Sequence, residues 1–169
     1  MDARAREIIN ECKRQEESCL YTSTALFGWH KEVRVWRVAF IVLPIIAGSV
    51  ASAKILLKDS SYDWLTAIAA LLAGLFPAIF KALDLDVSLK NISDSAGRFK
   101  TLQDGFRQAS RIGACKPTED LEDEFKALMT RMDDTRLASP TIPERHFRSA
   151  QKKIKKGDYS FDSTPEDAA

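Results

Sequence analysis

Two apolar stretches decide the fold of this chain, VAFIVLPIIAGSVASA at 38–53 and WLTAIAALLAGLFPAIF at 64–80. No charged residue interrupts either stretch, and the first resumes its apolar character beyond Lys54. A membrane-spanning helix needs about 20 mainly apolar residues, and about 17 is the short limit. The two stretches therefore predict membrane-spanning helices over 36–57 and 64–82.

A buried helical hairpin in a soluble core is the alternative reading of these stretches. Trp36, Tyr62 and Trp64 at their edges favour a bilayer, because Trp and Tyr concentrate at membrane–water interfaces. The connection at 58–63 is short, which predicts an antiparallel hairpin with both flanks on the same side of the membrane.

Basic residues indicate which side that is. Only Lys54 and Lys58 lie near the turn, whereas several flank the open end of the hairpin: Lys31, Arg34, Arg37, Lys81 and Lys90. The positive-inside rule then places both termini in the cytoplasm. The amino terminus also lacks the apolar run and cleavage site of a secretory signal peptide. The three cysteines have no metal-type spacing, and we expect them to stay reduced.

Small residues recur at four-residue spacing in both apolar stretches. Gly48 and Ser52 lie on the first, and Ala70, Gly74 and Ala78 lie on the second. This spacing lets helix backbones approach closely, either within the hairpin or between subunits. Because two helices cannot enclose a pathway, any pore must be oligomeric.

Pro44 and Pro77 lie at nearly the same distance from the turn, and Gly48 and Gly74 are also close to level. Both helices are therefore expected to be weakened at one depth, near the cytoplasmic mouth. These residues form either tolerated kinks or a hinge that lets the inner mouth open and close.

Hydroxyl groups are the polar candidates for lining a pore, at Ser49, Ser52 and Thr66. The stretches contain no acidic residue and no histidine, so the usual groups of a proton relay are missing. A conduit of hydroxyl and apolar groups could gate by dewetting. The alternative is that each hydroxyl donates a hydrogen bond to the preceding helical turn.

Amphipathic periodicity predicts helices on both sides of the hairpin. Thr118 is the expected N-cap of one of them, and the polar tail 157–169 is expected to be disordered. The predicted elements are an N-terminal amphipathic helix over 3–35 and cytoplasmic helices over 83–112, 118–138 and 144–156.

The last of these helices carries the strongest local positive charge, with Arg145, Arg148, Lys152 and Lys153 as candidate signal-binding residues. Three explanations of this charge remain open. It can pair with the acidic residues between 119 and 134, attract anionic lipid head groups, or bind a nucleotide or oligonucleotide.

Overall charge and motifs argue against an enzyme. The chain has 25 Lys and Arg against 24 Asp and Glu, so no net charge favours nucleic acid. His30 and His146 are isolated, and we find no glycine-rich phosphate loop, nucleophile pattern or metal-ligand pattern. We therefore expect no catalytic site, no metal and no cofactor.

Four short segments in a fixed order carry a family resemblance. They are Trp29-His30 before the first span, AGRFKTLQ at 96–103 after the second, ASPTIP at 138–143 and HFRSA at 146–150. With the two spans, they resemble the SLATT family of bacterial two-helix membrane effectors over residues 5–156. Phe99 replaces a tyrosine common at this family position, which leaves packing intact but removes any role of a hydroxyl.

The resemblance implies an all-α, oligomeric, pore-forming effector in the bacterial inner membrane. It also implies a role in antiphage defence by abortive infection, controlled by a cyclic or linear oligonucleotide or by a nucleotidyltransferase encoded nearby. A non-conducting membrane scaffold that recruits cytosolic partners is the alternative. A holin-like lesion former is disfavoured, because a holin needs little beyond its spans.

Overall fold

The computed structural model describes residues 2–56, 63–82 and 85–158, and all regular structure within these ranges is helical. This confirms the all-α class for the described residues. The elements are α1 (Ala3–Leu56), α2 (Asp63–Ala82), α3 (Leu85–Arg111), a short 3-10 helix (Gly113–Cys115), α4 (Thr118–Ala138) and α5 (Glu144–Lys155).

The observed helices follow the predicted ranges closely, with two differences. The ranges 3–35 and 36–57, predicted as separate elements, form one helix of 54 residues up to Leu56. Helix α4 has Pro117 rather than Thr118 at its N-cap, without a side-chain capping hydrogen bond. Residues 57 and 83–84, at the edges of predicted helices, and 159–169 of the predicted tail lie outside the described residues.

The chain divides into two compact units. We call Met1–Trp29 together with Asn91–Ala169 the bundle unit, and His30–Lys90 the apolar unit. The bundle unit thus contains the start of α1, most of α3, and all of α4 and α5. The apolar unit contains the rest of α1, all of α2 and the start of α3.

The core of the bundle unit is built from apolar side chains on one side of each amphipathic helix. Phe106 is its largest fully buried side chain, and its ring meets that of Phe125 edge-on at 6.4 Å between centroids. The fully buried large side chains come from three helices: Cys12, Cys19 and Leu26 of α1, Ile92 and Phe106 of α3, and Leu121 and Met132 of α4. Removing these side chains from water stabilises the bundle.

Glycine 105 allows α3 and α4 to approach closely. A Cβ atom at Gly105 would lie 2.9 Å from Cδ2 of Leu128, which is itself buried. Any side chain there would require Leu128 to move. The two helices therefore pack closely at Gly105 and Leu128.

The apolar unit exposes large apolar side chains along both of its main helices. Val35 is 68% exposed, Trp64 is 62% exposed and Leu71 is 69% exposed. Helix α1 contains a window long and apolar enough to cross a membrane, and none of that window is buried. The apolar segment found in α2, Ala67–Phe76, is shorter. The helices contact each other through Phe40 and Phe76, whose ring centroids are 5.5 Å apart.

Candidate functional site

Helix α5 is docked on α1 within the bundle unit. His146 and Ala150 are its buried residues, and the His146 ring stacks on Trp29 at 6.4 Å between centroids. The ring of Phe147 lies 6.3 Å from that of Tyr21. A 12-residue helix is marginal by itself in water, so this contact is what holds α5 in place.

The carboxyl end of α5 is closed by a glycine in a left-handed conformation. Gly157 has φ of 86° and donates its N–H to the carbonyl of Ile154 at 3.0 Å. The N–H of Asp158 bonds to the carbonyl of Lys153 at 3.3 Å, which completes a Schellman motif. Lysines in the last turn complement the negative end of the helix dipole.

The exposed side of α5 brings together most of the predicted signal-binding residues. Arg145, Arg148 and Lys152 line an open cavity of about 460 Å³, whereas Lys153 is not part of its lining. Arg148 donates from Nε and Nη2 to Oε1 of Glu144, at 3.0 and 2.6 Å. This ion pair is exposed and therefore contributes little to stability.

Two acidic residues of α4, Glu122 and Glu124, have partners outside α5. Glu122 accepts from Lys126 and from Arg4, and these hydrogen bonds, that of Lys126 first, lower the pKa of Glu122. Glu124 accepts from Lys116 at 2.7 Å, which raises the pKa of Lys116. These contacts tie the start of α1 and the α3–α4 connection to α4.

The structure describes the side chains of two of the three predicted pore-lining residues, Ser49 and Ser52. Ser49 donates from Oγ to the carbonyl of Ile45 at 2.8 Å, the hydrogen bond to the preceding turn that the alternative reading expected. Ser52 is exposed, and the side chain of Thr66 lies outside the described residues.

The predicted hinge residues all lie inside helices. Pro44 is accommodated within α1, and the side chain of Pro77 in α2 lies outside the described residues. A Cβ atom at Gly48 or at Gly74 would meet no atom within 4 Å beyond its local helix, among the residues that are described. These glycines therefore do not mediate a contact within the described part of the apolar unit.

A second cavity, of about 620 Å³, lies between α3 and α4 in the bundle unit. We call it the α3–α4 groove. Asp94, Gly97 and Arg98 of α3 face Arg131 and Asp134 of α4 across it. Sequence reasoning missed this site, because charges at spacings of three and four on a helix are typical of any solvated face. Only the packing of the two helices shows that these charges share one cavity.

The three thiols occupy two kinds of environment. Cys12 and Cys19 are fully buried, and burial raises the pKa of each thiol to about 11. Nearby Glu124 and Glu11 raise that of Cys12 further. Cys115 is exposed. Across residues 2–56, 63–82 and 85–158, no group of three or more His, Cys, Asp or Glu side chains is placed to hold a metal ion.

Comparison of the chain with protein-family models, with curated proteins and with solved structures gives no match. The assignment of a function therefore depends on the residues and geometry described above.

Proposed function

We propose that this chain is a pore-forming membrane effector of the SLATT type, which acts as a homo-oligomer in the bacterial inner membrane. In this proposal the apolar unit forms a transmembrane hairpin and both termini lie in the cytoplasm. The bundle unit controls the pore in response to a nucleotide signal or a nucleotidyltransferase partner. Opening depolarises the membrane and arrests growth during phage infection.

The exposed apolar surface of α1 and α2 is the observation that carries this proposal. Monomeric soluble proteins rarely leave contiguous apolar patches above a few hundred Å² in water. Each exposed Å² costs about 25 cal/mol relative to an apolar environment. A bilayer removes this cost along both helices. If they were the core helices of a soluble protein, their apolar side chains would instead be buried within the protein.

The contact between Phe40 and Phe76 supports the hairpin. Phe40 lies 18 positions before the start of the predicted connection at 58–63, and Phe76 lies 13 positions after its end. Together with the short predicted connection, this contact supports an antiparallel arrangement of the two helices. The excess of basic residues at the open end then favours cytoplasmic termini.

Oligomerisation is supported by the open faces at Gly48 and Gly74. Small residues at four-residue spacing promote close packing of membrane helices, and these two meet nothing in the described residues of the same chain. Neighbouring subunits are their natural partners. A closed ring of hairpins would enclose the pathway that one hairpin cannot.

Ion flux from liposomes that contain the purified full chain tests the proposal. We expect an ion gradient to collapse once the pore is open. The double variant Pro44→Ala/Pro77→Ala should alter open probability in a bilayer recording. Pro140→Ala, in the loop before α5, is the matched control and should leave the recording unchanged.

An ion gradient that survives in every condition, with the protein correctly inserted and with candidate nucleotides present, would contradict a pore. That result would favour the non-conducting scaffold. Unchanged gating in the double proline variant would contradict the hinge hypothesis but would not contradict a pore.

A further inference from the structure

The α3–α4 groove contains charged side chains that do not take part in the ion pairs of the bundle unit. Each wall carries one guanidinium and one carboxylate: Asp94 and Arg98 on α3, Arg131 and Asp134 on α4. None of these four side chains forms an ion pair with another residue of the described ranges. Two other acidic residues of α4 do form ion pairs, Glu122 with Lys126 and Glu124 with Lys116.

The floor and size of the groove suit a small organic ligand. Its volume of about 620 Å³ falls within the range of roughly 300–1,000 Å³ for such sites. Leu102 contributes a buried apolar floor. Gly97 lines one wall, and a Cβ atom at this position would meet no described atom within 4 Å. The glycine thus leaves room for a ligand against the backbone of α3.

The charges define the chemical class of that ligand. A bare anion would be repelled by the two carboxylates, and a bare cation by the two guanidiniums. A molecule that combines anionic groups with hydrogen-bond donors satisfies both. Guanidinium groups match phosphate in geometry, because they donate two parallel hydrogen bonds. Carboxylates accept from hydroxyl and amino groups such as those of a ribose or a base.

We propose that the α3–α4 groove binds a dinucleotide, with one phosphate at Arg98 and one at Arg131. In this arrangement each wall holds one nucleotide unit, with its guanidinium on the phosphate and its carboxylate accepting from the ribose or base. This inference deepens the proposed function, since it places the controlling signal in the groove rather than on the basic face of α5.

Calorimetric titration of the full chain in detergent tests the site. The probes are cyclic di-AMP, cyclic di-GMP and linear diadenylate, with AMP and inorganic phosphate for comparison. We expect at least one dinucleotide to bind, AMP to bind more weakly and phosphate to give no heat. Arg98→Ala or Arg131→Ala should each weaken dinucleotide binding by about tenfold or more, because each removes charge-assisted hydrogen bonds.

Two further variants separate the site from the fold and from α5. Gly97→Leu keeps every charge, fills the groove and should abolish binding while the protein stays folded. Arg148→Ala/Lys152→Ala removes two positive charges from α5 and should leave binding unchanged.

Absence of binding by all three dinucleotides would overturn the proposal. The proposal would also be overturned if the α5 variant lost dinucleotide binding while the groove variants kept it. Liposome flux is measured separately from binding. Ion flux together with an absence of dinucleotide binding would refute this inference and leave the proposed function standing.

Discussion

Burial sets the chemistry of each thiol. A maleimide reacts with the thiolate. Burial blocks its access to Cys12 and Cys19 and also lowers their thiolate fraction, because it raises the pKa of each thiol to about 11. We expect rapid labelling of exposed Cys115 alone in the folded protein at pH 7, read by mass spectrometry. All three cysteines should react after denaturation. Labelling of Cys12 in the native protein would contradict the described core.

The same two thiols predict a loss of stability at alkaline pH. Their pKa is 9.0 without the fold and about 11 within it, so the folded state retains protons that the unfolded state releases. The contribution of these thiols to the free energy of unfolding is therefore fully present below pH 9 and falls as the pH rises towards 11, by about 3 kcal/mol per thiol. Thermal unfolding of Cys12→Ala should show a shallower decline across this window. Cys115→Ala, as control, should match the parent chain.

Two glycines should respond to alanine in opposite directions. Gly97 lies inside α3 with open space at its Cβ position, so Gly97→Ala should stabilise the protein by about 0.5–1 kcal/mol. Gly157 has φ of 86°, and Gly157→Ala should cost about 1–2 kcal/mol in the end of α5. Thermal unfolding measures the first change, and hydrogen exchange of the last turn of α5 measures the second. A stabilising effect at Gly157 would contradict the observed cap.

At the scale of elements, α5 depends on its contact with α1. Ala150 is buried on the docked side, so Ala150→Glu places a carboxylate in an apolar contact and should release the helix. We expect amides of Glu144–Lys155 to lose protection from hydrogen exchange, because a helix of this length does not persist alone. Amides of α3 and α4 should keep theirs.

Ser149→Glu is the matched control for this experiment. Ser149 is the neighbouring residue on the exposed side of α5, so the same charge there should leave protection unchanged. Equal loss of protection in both variants would show that charge, rather than burial, disturbs the helix.

At the scale of the whole molecule, the exposed Cys115 reports on topology. The proposed hairpin places the bundle unit in the cytoplasm, so a membrane-impermeant maleimide should label Cys115 only after spheroplasts are opened. Ser60→Cys introduces a thiol into the connection between the predicted spans, which the proposed topology places on the opposite side of the membrane. It should label in intact spheroplasts. The reverse pattern would invert the proposed orientation.

The sequence by itself determined where the helices lie and which sides of them are buried. Apolar periodicity is a local property, so the amphipathic helices on both sides of the hairpin were visible without the fold, as were both apolar stretches. The cluster of basic residues in α5 was also evident from the sequence, although its positive charge alone could not distinguish an acidic helix, lipid head groups or a nucleotide as its partner. The single helix from Ala3 to Leu56 was read as two, because its change from amphipathic to apolar resembles a boundary.

Only the tertiary structure decided which side chains share a site. Arg98 and Arg131 are 33 positions apart by number, and no local pattern relates them until α3 and α4 pack together. The docking of His146 on Trp29 is likewise a contact between distant segments. The physical reason is that periodicity fixes the burial of each helix, whereas the pairing of helices depends on how all buried faces fit together.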